Sequence, residues 1–218
     1  MRAMSSDYFD ALYQASDDPW RIEDNWYEQR KRALLTAMLP RRRFRNALEP
    51  GCGTGELTLA LGPHCDHILA GDLAPAAVDI ARRRWQQYQQ RQPNFFAPGH
   101  QPHCHARFID MTLPADWPAH LGASFDLIVI SELAYYLDAA ALQRLPALIN
   151  GSLADDGVLL ACHWRHDFPQ RLHDTASIHA GFDNIPALHR MAHYQDEDFL
   201  LDMWCRQPAS IAQQQGLA

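Results

Sequence analysis

The stretch NALEPGCGTGELTLAL, residues 46–61, decides the fold of this 218-residue chain. Its apolar first part predicts a short strand, and the segment after the glycines predicts the first turns of a helix. Gly51, Gly53 and Gly55 alternate with other residues in the turn between them. Because glycine has no Cβ, a ligand can lie against the main chain there and bond to its amides. The stretch therefore predicts a ligand-binding loop at the tip of the first strand.

Strand-like and helix-like segments alternate along the rest of the chain. The segment FDLIVISEL (125–133) is nearly all apolar, as in a strand buried on both faces. Such alternation predicts an α/β fold, in which helices cover both faces of a parallel sheet. Two late segments, 188–195 and 198–206, predict a hairpin that adds an antiparallel strand. The other predicted strands are 67–73, 107–111 and 157–164, and the predicted helices are 26–39, 76–91 and 139–153.

Composition narrows the choice of partners. The formal net charge of −7 argues against nucleic acid as the main partner. The five cysteines include no CxxC pair, which favours a reducing compartment. No apolar run approaches the roughly 18 residues of a membrane span, and the first residues lack a signal-peptide pattern. We expect a soluble cytoplasmic protein that binds neither nucleic acid nor a membrane.

The spacing of the glycines separates the possible ligand classes. A dinucleotide fingerprint, G-x-G-x-x-G, would need a glycine where Glu56 stands, and no G-K-[ST] follows to bind a phosphate. The pattern present is E-x-G-x-G-x-G, beginning at Glu49. Asp72 lies 21 residues after Gly51, a spacing at which an acid can bind ribose hydroxyls, although this spacing alone would suit NAD equally well. In such folds the ligand lies beyond the carboxyl ends of the strands, at the switch point beside the first one.

The segment LEPGCGTG resembles motif I of the class I S-adenosylmethionine (AdoMet)-dependent methyltransferases. The resemblance implies a Rossmann-like, doubly wound, seven-stranded sheet, mostly parallel with the last strand antiparallel. It implies AdoMet as cofactor and S-adenosylhomocysteine as product. We expect residues 1–40 to form an N-terminal helical lid and residues 41–218 to form the AdoMet-binding domain.

The resemblance also assigns roles to residues near the strand ends. Asp72 would bind the ribose, Asp110 the adenine amino group, and Met111 would pack on the adenine ring. Ser131 would lie below the methionine portion, and Arg30 of the N-terminal helix would pair with its carboxylate, unless Arg30 belongs to a solvated charged face. The predicted cofactor-binding residues are Trp20, Arg30, Glu49, Gly51, Gly53, Gly55, Asp72, Leu73, Asp110, Met111 and Ser131.

A narrower resemblance rests on several blocks. The segments DPWRIEDNWYEQRKRALLTAMLP, ALEPGCGTGELT, FDLIVISELAYYLD, CHWRH and EDFLLDMW resemble the nodulation protein S (NodS)-like methyltransferases. That family is associated with N-methylation of a sugar amine. The resemblance implies an amine of a small molecule or amino sugar as methyl acceptor.

Methyl transfer to an amine needs a group that holds or removes a proton, because only the neutral amine attacks. Glu132, Tyr136 and His163 follow strands four and five and are the predicted catalytic residues; for each, a structural role is the alternative. A separate cluster contains potential metal ligands: His100, His103, Cys104 and His105. It lacks a second ligand pair, so we expect no metal site.

Two other functions stay open at this point. An O-methyltransferase acting on a hydroxyl or carboxyl acceptor would use the same cofactor site with a stronger base. An NAD-binding oxidoreductase, or a non-catalytic nucleotide-binding module, would use the same fold, although Glu56 counts against NAD.

Overall fold

A computed structural model describes residues 6–91, 104–122 and 124–217. Seven strands form one sheet in the order β3-β2-β1-β4-β5-β7-β6. The strands are β1 (Phe44–Pro50), β2 (Cys65–Asp72), β3 (His105–Asp110), β4 (Phe125–Ser131), β5 (Leu153–Trp164), β6 (His189–Gln195) and β7 (Phe199–Cys205). Only β7 runs antiparallel to its neighbours, so the predicted Rossmann-like sheet, with its last strand antiparallel, is confirmed.

Seven helices accompany the sheet in the described part of the chain. They are α1 (Ser6–Ala15), α2 (Trp26–Ala37), α3 (Glu56–Leu61), α4 (Pro75–Arg91), α5 (Ala139–Ser152), α6 (Thr175–Asp183) and α7 (Ile211–Gln214). The predicted helices do not include α1, α6 and α7. Helix α6 begins at a side-chain cap, in which Asp174 accepts from the Ser177 N–H, and only 9 residues follow.

The core lies on both faces of the sheet. Strand β4 is buried at six successive positions from Phe125, because helices cover it on either side. One buried cluster includes Leu127 and Leu160 on one face, and a second includes Ile128 and Leu159 on the other. The alternation of these neighbours follows from the two-residue period of a strand.

The strand order determines where the binding crevice lies. The first strand lies between β2 and β4, so the chain crosses from one side of β1 to the other between β3 and β4. The connections that leave the carboxyl ends of β1 and β4 therefore run in opposite directions. This is the switch point, where ligands bind in open α/β sheets. Most of the loop predicted over 92–106, including His100 and His103, lies outside the described residues.

Two further features bear on the expected surroundings of the protein. All five cysteines are free and buried. Within the described ranges, the helices are all too short or too polar to cross a bilayer.

Candidate active site

A crevice of about 590 Å³ opens at the carboxyl ends of the strands, beside β1. Its floor is the glycine loop, where Gly51, Gly53 and Gly55 have φ values of +73°, +52° and +85°. A Cβ at Gly55 would lie 2.9 Å from the Ala81 Cβ on α4. Gly55 therefore lets helix α3 start close against α4, whereas Gly51 and Gly53 line the crevice itself.

Asp72 connects the floor to the end of β2. Its two carboxylate oxygens accept hydrogen bonds from the Gly53 N–H at 2.9 Å and the Ala74 N–H at 3.0 Å. Burial raises the pKa of Asp72, and these backbone donors oppose that effect. Since a carboxylate has about four acceptor positions, two remain for vicinal hydroxyl groups of a ligand.

The other residues predicted near the adenosine occupy two kinds of position. Leu73, Met111 and Ser131 line the crevice. Asp110 pairs in register with Asp72 across strands β2 and β3, yet its side chain is exposed and it is not among the lining residues. The pairing register brings the two acids to the same end of the sheet, and Asp110 is exposed there on β3, the edge strand.

Glu49 lies beneath the floor at the end of β1. It is buried and accepts a hydrogen bond from the Thr58 hydroxyl at 2.6 Å. Burial raises the pKa of Glu49 to about 8, with the Thr58 bond opposing and the charge of Asp72 adding to the shift. Glu49 is therefore mainly protonated at neutral pH in the folded protein.

A charged group of three residues occupies the opposite end of the crevice. The Lys31 ammonium lies 2.9 Å from a Glu28 oxygen and 3.0 Å from Glu132 Oε1. Burial alone would lower the pKa of Lys31, but the charges of Glu132 and Glu28 raise it overall. Two carboxylates and one ammonium give this end a net charge of about −1.

Glu132 is the centre of this group. Its other oxygen, Oε2, accepts from the Tyr135 hydroxyl and from the Trp164 N–H. Its backbone has the left-handed φ of +53°, unusual for a residue other than glycine. Such backbone strain clusters at functional sites, and here it holds the carboxylate toward the crevice.

Tyr27 supplies a polar atom without a protein partner. Its hydroxyl is buried and makes no hydrogen bond in the described structure, although the residue lines the crevice. Burial, and next the charge of Glu132, raise the pKa of Tyr27, so the hydroxyl keeps its proton. A buried hydroxyl without a partner costs free energy that a ligand acceptor or donor can recover.

Aromatic side chains from α1, from the segment that follows it and from the turn after β4 form the roof. Phe9 contacts Tyr136 edge to face with ring centroids 5.3 Å apart, and Tyr13 contacts Trp20 in the same way at 5.4 Å. All four rings line the crevice. The Tyr13 hydroxyl would lie 3.2 Å from a Cβ placed on Gly53, so the roof closes down to the glycine floor.

Four of the predicted site residues do not line the crevice: Arg30, Gly55, Asp110 and His163. Arg30 extends the other way along α2, where it pairs with Asp196 at 2.8 Å and with Tyr194 of the β6–β7 hairpin. Its direction follows from helix phase, because each residue turns about 100° and Lys31 and Arg32 take the crevice face instead. His163 is fully buried behind the crevice wall, where strand alternation turns it away from the ligand.

The predicted site residues do not include Tyr13, Tyr27, Glu28 or Lys31, which line the crevice and carry polar groups. The available signal was periodicity, since Tyr27 and Lys31 precede the buried Leu35 at intervals of four.

Metal ligation has no support in the described ranges. These residues contain no group of three or more histidine, cysteine, aspartate or glutamate side chains able to hold an ion.

Comparison with known proteins assigns the chain to a family. A family model of nodulation protein S matches residues 9–92. A solved structure of a candidate methyltransferase from Pseudomonas syringae is 42% identical, covers 83% of this chain and 99% of its own, and superposes with a TM-score of 0.64. The chain belongs to the class I S-adenosylmethionine-dependent methyltransferases.

Within this family, the curated relatives are nodulation S proteins. The Rhizobium tropici protein is 33% identical over 60% of this chain and 48% of its own length. The Sinorhizobium fredii protein is 32% identical over 66% of this chain and 59% of its own length. The chain thus spans about half the length of the first of these relatives.

A second solved methyltransferase confirms the fold alone. The N-methyltransferase NodS from Bradyrhizobium japonicum WM9, solved in complex with S-adenosylhomocysteine, is 24% identical. It covers 93% of this chain and 98% of its own, with a TM-score of 0.69.

Proposed function

We propose that this chain transfers a methyl group from S-adenosylmethionine to an amine of a small molecule or amino sugar. The observation that carries the proposal is a single crevice with two unlike ends. The glycine floor with Asp72 forms one end, and Glu28, Lys31 and Glu132 form the other. The floor suits a nucleoside, and the negative end suits a cationic acceptor.

The residues at the floor fit the cofactor. A Cβ at Gly51 would lie 3.3 Å from the Leu133 side chain, and the left-handed φ of +73° disfavours any other residue at this part of the floor. Asp72 would bind the ribose hydroxyls, Met111 would contact the base, and Arg32, which lines the crevice, would face the carboxylate. Ser131 and Leu73 would complete the wall between base and methionine portion.

The cofactor, when bound, supplies an electrophilic methyl group on a sulfonium sulfur. This chain's residues then orient the acceptor and hold its protons. Alignment of the reacting atoms can contribute several of the roughly 7–11 kcal/mol available from orientation. Glu132 has three protein donors, and the fourth acceptor position of its carboxylate is free for an N–H of the acceptor.

The acceptor end favours an amine over a hydroxyl. An alcohol needs a base strong enough to remove its proton, whereas the crevice-lining residues of the described chain include no histidine, and Glu132 is paired with Lys31. An ammonium group needs only to lose one proton to solvent water before it attacks, and a net negative site both attracts the ammonium and stabilises the cation formed after transfer. Tyr27 would bond a second polar atom of the acceptor.

We also propose that residues 1–40 act as a lid over this site. Helix α1 contributes the rings of Phe9 and Tyr13, and the segment between α1 and α2 contributes that of Trp20; all three line the crevice. Closing these rings over bound molecules would exclude water from the reacting atoms. The free, buried thiols support a reducing cytoplasmic location.

Two measurements test the proposal in sequence. Calorimetric titration should give heat with S-adenosylhomocysteine and none with NADH, and the reverse result would end the methyltransferase reading in favour of an oxidoreductase. A screen of amines, amino sugars, alcohols and carboxylic acids with radiolabelled S-adenosylmethionine should label amines. Label found only on oxygen would replace the N-methyltransferase with an O-methyltransferase.

Tyr27→Phe tests the acceptor end separately. The free hydroxyl has no protein partner, so its removal should leave both folding stability and S-adenosylhomocysteine affinity nearly unchanged. The KM for the amine selected in the screen should rise about tenfold, as for the loss of one buried hydrogen bond of ~1.4 kcal/mol. An unchanged KM would show that the acceptor does not reach Tyr27.

A further inference from the structure

Behind the acceptor end, three buried side chains form a continuous hydrogen-bonded chain. Asp202 Oδ2 accepts from His179 Nδ1 at 2.7 Å, and His179 Nε2 lies 3.0 Å from His163 Nδ1. His163 Nε2 in turn lies 3.2 Å from the backbone N of Ala134. All three side chains are at most 2% exposed.

The backbone end of this chain determines the direction of every bond in it. An amide can only donate, so His163 Nε2 must be the acceptor and the proton of the neutral ring must be on Nδ1. His163 therefore donates to His179 Nε2, and His179 donates from Nδ1 to the Asp202 carboxylate. Every polar atom of the two rings is then satisfied with both imidazoles neutral and Asp202 ionised.

The charges around the chain agree with this assignment. Burial lowers the pKa of His163 well below its ordinary value, and the cations of Lys31 and Arg171 act in the same direction. Burial opposes ionisation of Asp202, yet hydrogen bonds from His179 and His193 hold its pKa below the ordinary value.

The remaining charges at this end come from the hairpin and from α6. Arg190 of β6 lies 3.5 Å from Asp202 and also pairs with Asp183 at the end of α6. His193 of β6, whose side chain is 48% exposed, contacts Asp202 at 2.7 Å. Asp202 is thus held from two sides by cationic or donating groups and can anchor the chain as a fixed carboxylate.

The other end of the chain supports the acceptor half of the crevice. Ala134 begins the short 3-10 turn Ala134–Tyr136, two residues after Glu132. The His163 ring also contacts the Tyr135 ring edge to face, with centroids 5.5 Å apart, and Tyr135 donates to Glu132. One buried imidazole therefore touches both the backbone and the side chain that hold the Glu132 carboxylate.

We propose that Asp202, His179 and His163 are positioning residues, which fix the turn carrying Glu132, Tyr135 and Tyr136 against the acceptor. This inference rests on the proposed methyltransferase function for its kinetic consequence, but not for its structural one. The three residues touch no reacting atom. They act through Ala134 and Tyr135, so their loss should alter the acceptor half and spare the cofactor half.

The structural part is tested on the wild-type protein without any substrate. Nitrogen NMR of protein labelled with ¹⁵N-histidine should find His163 and His179 neutral at pH 7, each protonated on Nδ1. A His163 protonated on Nε2, or charged, would overturn the proposal, because that ring could not accept from Ala134. This result does not depend on the enzyme's reaction.

Two variants then separate positioning from simple packing. His163→Leu removes the acceptor, whereas His163→Gln offers an amide oxygen near the place of Nε2. Hydrogen exchange of the Ala134 amide should quicken at least tenfold in His163→Leu and return toward wild type in His163→Gln. His189→Gln replaces an exposed histidine of β6, is the control, and should exchange as wild type.

Kinetics complete the test once the screen has selected an amine. His163→Leu should lower kcat at least tenfold, His163→Gln should restore most of it, and S-adenosylhomocysteine affinity should stay within twofold in both. Equal losses in the two variants, or a parallel loss of cofactor affinity, would overturn the positioning role. Should no amine be methylated by wild type, the proposed function fails, while the tautomers and the Ala134 exchange still decide this inference.

Discussion

The ammonium of Lys31 stands between two carboxylates in the wall of the crevice, so replacing it tests the electrostatic account of the acceptor end. Its side chain is 7% exposed, and those of Glu28 and Glu132 are 17% and 29% exposed. Lys31→Met keeps a similar length and apolar stem but leaves two carboxylates facing one another with no cation between them. Breaking a buried ion pair by removing one partner costs about 3–5 kcal/mol.

The partial exposure of Glu132 places the expected loss at the lower end, at about 3 kcal/mol. A domain of this size loses ~2–4 °C of Tm per kcal/mol, so the Tm should fall by at least about 6 °C. Urea unfolding followed by circular dichroism at pH 7 measures the free energy directly. Arg83→Met removes an exposed pair with Asp17, at 3.6 Å, and should cost less than about 1 kcal/mol.

The double variant Lys31→Met, Glu132→Gln identifies the cause of that loss. It removes one of the two facing charges, so it should recover part of the stability lost in the single variant. Two results would refute this reasoning, because they would show that the two carboxylates do not repel each other at a buried site. In the first, Lys31→Met lowers the free energy of unfolding no more than Arg83→Met does. In the second, Glu132→Gln lowers the free energy of unfolding of Lys31→Met by as much as it lowers that of the wild type.

Three more predictions concern the floor of the crevice. Burial raises the pKa of Glu49 to about 8 from 4.5, so its contribution to stability is complete below pH 4.5 and is lost as pH rises through 8. Urea unfolding should therefore show wild type losing about 1.4 kcal/mol per pH unit between these values relative to Glu49→Gln, and parallel profiles would contradict the shift. Asp72→Ala should weaken S-adenosylhomocysteine binding at least about tenfold by calorimetry, or the ribose is held elsewhere. Arg32→Ala should weaken that binding more than Arg30→Ala, which should change it less than about twofold; the opposite order would restore Arg30 to the site.

Much of the fold follows from the sequence because its signals are local. The apolar run of β4 and the glycine turn after β1 are each recognisable within about ten residues. The alternation of strands and helices then predicts a parallel sheet. The hairpin at the end follows from two strand-like segments separated by a few residues. Helix α6 escapes prediction because it spans only 9 residues and depends on the Asp174 cap and on packing against the sheet.

The site residues also divide into those that the sequence predicts and those that it does not. Residues at strand ends, such as Asp72, Met111 and Ser131, line the crevice as predicted, because topology alone brings the carboxyl ends of neighbouring strands together. His163 also ends a strand, but a two-residue period decides which face it takes, and one position along β5 turns it from the crevice into the buried chain with His179.

Helix α2 shows which sequence signal predicts the residues that face the crevice. Its basic run invites the choice of an arginine as anion partner, yet the choice depends on phase, and charged residues do not reveal phase. The apolar residue does: Leu35 is 1% exposed, and counting back by four gives Lys31 and then Tyr27. A lysine on the buried face of a helix must find carboxylates, because an unpaired buried ammonium would lose its proton instead. The single lysine of the chain therefore predicts carboxylate partners, and the structure shows that these are Glu28 and Glu132 at the negative end of the crevice.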